Sequence, residues 1–181
     1  KLGSDYRVVG LEGETPMKDL ILREIEGFQP DIAVAGGGDG TVNLIASLIR
    51  GTGIRLGIIP LGSANGMAFQ LDIPDDPVEA IEKIVEGKTI KMDMIRINDE
   101  CNSLHMSDLG MNARVVKRYE KEGVRGFYGY ARQYFKELGS VKKFNCTVKI
   151  GDEKTSTEVV MVIIANANHY GTGAIVNPGG K

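Results

Sequence analysis

Apolar residues recur at helical spacing and in short runs over the first half of the chain, and alternate with polar ones over much of the second. Met17, Leu20, Ile21, Ile25 and Phe28 fall on one face of a helix, which Thr15 would cap and Pro16 would begin. Gln29-Pro30-Asp31 ends that helix, and Ile32 to Ala35 follows as a short buried strand. A second helix is expected from Val42 to Arg50, with Val42, Ile45, Ala46 and Ile49 inward and a stop near Gly51. Leu56 to Ile59 is the next buried strand. Strand, helix and strand in this order imply parallel pairing through a right-handed crossover, with ligands at the carboxyl ends of the strands. Pro74-Asp75-Asp76-Pro77 is a turn into a third helix, whose apolar positions are Val78, Ile81, Ile84 and Val85 and whose end is marked by Gly87. The adjacent acids there suit a helix cap better than a metal site. Before all of this, Tyr6 to Val9 is a weak strand.

From Lys88 the pattern changes. Thr89 to Ile97 alternates as a half-buried strand does, Asn98-Asp99-Glu100 is a turn, and Asn102 to Ser107 is its return. Phe144 to Ile150 alternates again, Gly151-Asp152 turns, and Glu158 to Ala165 is a β-branched strand. Helical runs lie between, from Ala113 to Glu122 and from Gly126 to Leu138. The expected class is α/β: a Rossmann-like parallel-sheet domain over residues 1–87, then a largely antiparallel domain over residues 88–181. The chain opens without a methionine and closes on the turn Asn177-Pro178-Gly179-Gly180-Lys181, so we expect both domains to lack an end.

The first buried strand empties into Gly36-Gly37-Gly38-Asp39-Gly40-Thr41-Val42-Asn43. Glycines reach backbone conformations closed to other residues and leave amide N–H groups open to a ligand. The helix that follows adds free N–H donors and the positive end of its dipole, so the turn suits a phosphate. Asp39 is conspicuous, because a carboxylate beside a polyphosphate is repelled unless a metal or a proton transfer employs it. That combination points to Mg-nucleotide handling. It is not a Walker loop, since no G-x-x-x-x-G-K-[ST] occurs, and the G-x-G-x-x-G spacing fails at Thr41-Val42-Asn43.

Gly37 to Asn43 resembles the nucleotide-binding signature of the diacylglycerol kinase catalytic family, which includes bacterial lipid kinases and sphingosine kinases and is distantly related to NAD kinases and phosphofructokinases. Ile59-Pro60-Leu61-Gly62-Ser63-Ala64-Asn65-Gly66-Met67-Ala68 is similar to the family's second segment, Pro-x-Gly-Thr-x-Asn-x-x-Ala, with Ser63 in the threonine place. The first motif is shared with NAD kinases; the pair is far more specific to lipid kinases. The resemblance implies a β-sandwich-like lipid domain after the nucleotide domain. It implies a nucleotide held by Gly36 to Asn43 through backbone amides and the Thr41 and Asn43 side chains, with Gly62 and the Ser63 hydroxyl in the second loop. Asn65 would hold either that loop or the adenosine end. Asp39 would orient Mg²⁺ through water, move a proton, or brace the turn through backbone N–H bonds. Metal ligands and the general base would lie beyond Lys181. Two departures from the family pattern remove carboxylates: Leu44 stands where Glu is usual, and Gly66 where Asp is usual.

Composition narrows the rest. Hydrophobic content of 42% and charged content of 25% are those of a globular protein, and a net charge of −2 gives no reason to expect nucleic acid. No apolar run approaches the ~20 residues of a membrane span. Cys101 and Cys146 lack metal-type spacing and are expected as reduced core or near-core thiols in a cytoplasmic protein. His105 and His169 pair with no nucleophile in sequence. Asn166 to Gly173 resembles a family turn facing the cleft, with a plain loop as the alternative. Arg114, Lys117, Arg118, Lys121 and Arg125 form either a solvated helix face or a patch for anionic headgroups. The resulting expectation is an ATP- and Mg²⁺-dependent kinase acting on a lipid hydroxyl, diacylglycerol first, at the inner membrane surface, with a homodimer compatible. NAD kinase and a nucleotide-binding regulator without turnover are the rivals.

Overall fold

The computed structural model describes residues 5–11, 16–111, 113, 142–169, 175 and 177–179. Thr15, the two helical runs between 113 and 138 apart from Ala113, the five basic positions from 114 to 125, and residues 170–173 fall outside them. The described residues belong to two compact units: 1–105 with 165–181, and 106–164. The change of pattern near residue 88 lies inside the first unit.

In the first unit, helix α1 (Met17–Phe28) leads into strand β1 (Ile32–Gly37), helix α2 (Asp39–Ile49) and strand β2 (Arg55–Pro60). Pro16, expected as the first helical residue, is instead the N-cap. Gln29 ends α1 in the left-handed region at φ 48°, its N–H bonded to Ile25 C=O at 2.8 Å. Strands β1 and β2 are parallel and in register from Ile32↔Arg55 to Gly37↔Pro60. That register sets the ends of the two motif strands side by side. Val42, Ile45, Ala46 and Ile49 are all buried, as their spacing predicts, and join Ile21, Ala35, Ile58, Met67, Ala68 and Leu104 in one core. Helix α2 begins three residues earlier than the apolar pattern does, because Asp39, Gly40 and Thr41 already belong to it.

A short helix that periodicity does not reveal, α3 (Gly66–Gln70), follows β2, and helix α4 (Pro77–Glu86) comes next. Asp76 caps α4, its carboxylate accepting from Val78 and Glu79 N–H at 2.9 and 3.1 Å. The inward face of α4 differs from expectation: Val78 and Val85 are 64% and 59% exposed, while Ala80 is fully buried. Ile84 lies where a Cβ on Gly57 of β2 would come within 3.0 Å, so the glycine lets α4 close on the sheet.

The strand expected over Thr89 to Ile97 shrinks to β3 (Ile95–Ile97), paired antiparallel with β4 (Cys101–Ser103) across a turn in which Asn98 and Asp99 have positive φ. Met92 and Met94 pack against the core while Lys91 and Asp93 are exposed, so the alternation is a true burial pattern without a ladder. Tyr6 to Val9 forms no strand, and Tyr6 and Val8 are exposed. Cys101 is exposed rather than near the core, and both cysteines are free.

In the second unit, β5 (Met106–Gly110) pairs with β8 (Met161–Ala165), and β6 (Phe144–Ile150) forms a hairpin with β7 (Glu153–Val159). The expected strand from Glu158 is two strands, divided at Val160. The tertiary contact that divides them is close: a Cβ on Gly110, at φ 98°, would lie 2.4 Å from the Val160 carbonyl. The fold is therefore α/β, with a parallel pair and antiparallel strands.

Asp76→Ala removes both bonds of the α4 cap. We expect a loss of about 1 kcal/mol in urea unfolding, with the midpoint shifted and the slope unchanged.

Candidate nucleotide-binding site

The two motif loops meet backbone to backbone. A Cβ on Gly62 would lie 2.4 Å from Gly38 Cα, and one on Gly38 would lie 3.3 Å from Gly62 Cα. Gly37 is needed for a different reason. Thr41 folds back over it, and a Cβ there would sit 2.6 Å from Thr41 Oγ1. Gly36 and Gly40 are under no such pressure, with only Leu61 Cδ1 at 3.6 Å from the former and nothing within 4 Å of the latter.

Asp39 joins the loops through charge. Its Oδ2 accepts from Gly66 N–H at 2.9 Å and its Oδ1 from Met67 N–H at 3.0 Å. The first two amides of α3, which have no intrahelical acceptor, are thus capped from 27 and 28 residues away. Asn65, the residue at the N-cap position, makes no cap bond with its side chain. It stands in the left-handed region at φ 50°, with Oδ1 accepting from Gly62 N–H at 2.8 Å and Nδ2 donating to Gly62 C=O at 2.9 Å. Of the two roles open to Asn65 in sequence, holding the loop is the one its amide performs.

The carboxylate that looked misplaced beside a phosphate turns away from the first turn of α2 and spends its charge on α3. Each oxygen keeps a further lone pair. Gly38, the N-cap of α2, is extended at φ −88° and ψ −175°, and no side chain caps that helix. Its opening amides are therefore left for solvent or a ligand. Ser63 is exposed and its hydroxyl bonds no described residue. Gly37, Gly38, Asp39, Val42, Ile58, Pro60, Asn65 and Ala68 line an open recess of about 130 Å³.

Asn43 departs from its expected place. Its side chain is engaged by the backbone of β4 and Leu104 rather than turned to the glycine loop. Val42 is buried in the core. Of the two family departures, Leu44 packs against the core and Gly66 supplies one of the amides that Asp39 caps. Among the described residues no three of His, Cys, Asp and Glu gather into a metal site.

At the other end of α3, Phe69 and Gln70, which sequence reasoning passed over, meet the segment at Asn168 and His169 that it singled out as a family turn or a plain loop. Gln70 Oε1 accepts from Asn168 N–H at 2.8 Å, and the Phe69 and His169 rings meet edge to face at 5.4 Å. His105 Nε2 lies 2.9 Å from His169 C=O, and His169 Nδ1 is buried without a partner among the described residues.

Residues 1–97 match the model of the diacylglycerol kinase catalytic domain. The chain belongs to the diacylglycerol kinase catalytic domain family. It is 27% identical over 159 residues to a "Probable lipid kinase YegS-like" protein of Klebsiella pneumoniae (strain 342), covering 82% of this chain and 54% of that one. A protein of the same name from Yersinia enterocolitica is 26% identical over 170 residues, covering 87% and 57% respectively. The chain thus spans about half the length of the curated relatives it matches. The crystal structure of a diacylglycerol kinase from Bacillus anthracis str. Sterne superposes with a TM-score of 0.67 at 23% identity, over 93% of this chain and 56% of that one. The family's glycine–aspartate signature is, in this chain, a joint between two loops.

Gly62→Ala should force the loops apart and cost about 1–3 kcal/mol or more, whereas Gly40→Ala should be near neutral or slightly stabilising; thermal unfolding of the two variants separates them. Asp39→Asn leaves one α3 amide facing an NH₂ group. It should lower stability by about 1–3 kcal/mol without any ligand, read from urea midpoints. A carboxylate with a purely catalytic role would show no such loss.

Proposed function

We propose that this chain carries the nucleotide-binding part of an ATP-dependent lipid kinase, which transfers the γ-phosphate of Mg-ATP to a lipid hydroxyl, with diacylglycerol or a related glycerolipid as acceptor. Family membership supports the reaction class. The observation that carries the reading is the joint of Gly38 on Gly62, closed by Asp39 on α3, which leaves the opening amides of α2 uncapped beside the exposed Ser63 hydroxyl. In this reading the phosphates lie across those amides, and Ser63 donates to a phosphate oxygen. Fixed N–H dipoles then offset the charge that develops on the transferred group without reorganising. Gly36, Gly37, Gly40, Thr41 and Gly62 shape the surface; Asp39 and Asn65 hold it in position. Mg²⁺ enters with the nucleotide, bridging its phosphates. The nucleotide side is Rossmann-like, the antiparallel strands belong to a lipid-side β domain, and the acceptor brings the protein to the cytoplasmic membrane surface as a peripheral enzyme. No helix among the described residues is long and apolar enough to cross a membrane.

Transfer of label from γ-labelled ATP by the intact protein tests this, with diacylglycerol, monoacylglycerol and sphingosine in mixed micelles and NAD offered separately. We expect labelled diacylglycerol, a fall of about 100-fold or more for Asp39→Ala as the loops lose their alignment, and a KM for ATP about 5–10-fold higher for Ser63→Ala, the worth of one hydrogen bond. Labelled NAD would replace the lipid with a dinucleotide acceptor. Bound ATP without transfer to any acceptor would make the protein a regulator.

A further inference from the structure

Asn43 lies one turn into α2, directly behind the amides that would meet the phosphates. Its Nδ2 donates to Asn102 C=O at 2.9 Å, and its Oδ1 accepts from Leu104 N–H at 2.8 Å. One residue in a parallel ladder bonds its neighbour in the same way, to the C=O of one residue and the N–H of the residue two further on. The side-chain amide therefore stands in for a strand residue beside β4, on a segment whose other partner is β3. Leu104 is buried, and the same segment is gripped again from beyond: Asn166 Nδ2 donates to Leu104 C=O at 2.8 Å and Asn166 N–H to His105 C=O at 2.9 Å. Two bonds of fixed direction, made to a held backbone, remove both the rotation of α2 about its axis and its slide along it.

We propose that Asn43 is a positioning residue, which sets the angle at which the first turn of α2 presents its amides, and that it does not contact the nucleotide. The proposal rests on the phosphotransfer reading above and deepens it. Binding tolerates a small rotation of the helix, because a flexible phosphate chain follows it. Transfer does not, since misplacement of about 1 Å can cost on the order of 100-fold in rate.

The test compares Asn43→Ala and the isosteric Asn43→Asp with wild type and with Ile21→Val, a core change made from α1 that lowers stability without touching Asn43. Asn43→Asp keeps the acceptor for Leu104 N–H and turns an oxygen toward Asn102 C=O. Three quantities are measured on the intact protein: ADP affinity by calorimetry, turnover at saturating ATP, and hydrogen exchange at the Leu104 amide. We expect both variants to bind ADP within about 3-fold of wild type and to lose about 10- to 100-fold in turnover. Leu104 exchange should quicken about 10-fold in Asn43→Ala and less in Asn43→Asp, while Ile21→Val keeps its turnover. ADP affinity falling in step with turnover would make Asn43 a contact residue and overturn the proposal. Unchanged turnover, or an equal loss in Ile21→Val, would overturn it as well. If Asn43→Ala does not fold, Asn43→Asp alone decides on the same criteria. Wild-type protein that binds ADP but transfers nothing defeats the kinase reading; unchanged Leu104 exchange in Asn43→Ala then overturns the positioning role, and quickened exchange at constant ADP affinity sustains it.

Discussion

Two backbones can pass this closely only where no side chain stands between them, and Gly38 and Gly62, where an added Cβ on Gly62 would lie 2.4 Å from Gly38 Cα, make that approach between the loops that end β1 and β2. Everything at the candidate site follows from this contact. It brings the first turn of α2 beside the first turn of α3, which would set two groups of uncapped amides together. Asp39 resolves the conflict by giving both carboxylate oxygens to α3, so that one set of donors is satisfied and the other is left open. A charge-assisted bond of this kind contributes about 1.5–3 kcal/mol, comparable to a well-buried aliphatic side chain. The joint is therefore a sizeable part of what holds the loops.

The core supports the joint from beneath. Met67, whose N–H donates to Asp39, and Ala68 after it are buried at 1% and 2% exposure, so the turn that Asp39 caps also anchors α3 in the apolar cluster. On the other side of the glycine loop, Val42, Ile45, Ala46 and Ile49 anchor α2 in that same cluster. Each loop, entered from a strand, is thereby held at its far end by a helix anchored in the core. Their outer rim, at Gly36, Gly40 and Ser63, is left exposed.

How much of this is legible in the chain depends on the range of the interaction. The buried face of α2, the cap at Asp76 and the hairpin turn at Gly151-Asp152 depend on near neighbours, and local pattern reveals them. The alternation from Lys91 to Met94 reports burial truthfully but not pairing, because a ladder needs a partner strand and β4 is only three residues long. The outward turn of Val78 and Val85 is hidden for a related reason. Gly57 lets α4 settle on Ala80 and Ile84, and a helix wheel cannot show which arc meets a neighbouring glycine. Cys101 is exposed because β4 is an edge of a two-stranded sheet, which no cysteine spacing foretells.

The sequence by itself determined the class of fold, the glycine-rich turn, and the membership that the paired motifs at 37–43 and 59–68 express, because these reside in residue types and their spacing. Only the tertiary structure decided what the polar side chains of those motifs do. Asp39 reaches 27 and 28 residues to α3, Asn43 reaches 59 and 61 residues to β4 and Leu104, and Asn65 turns back three residues to Gly62. A motif records that a carboxylate or an amide is required at a position. The partner that uses its hydrogen bonds is brought there by the packing of buried faces elsewhere, and sequence distance carries no trace of it.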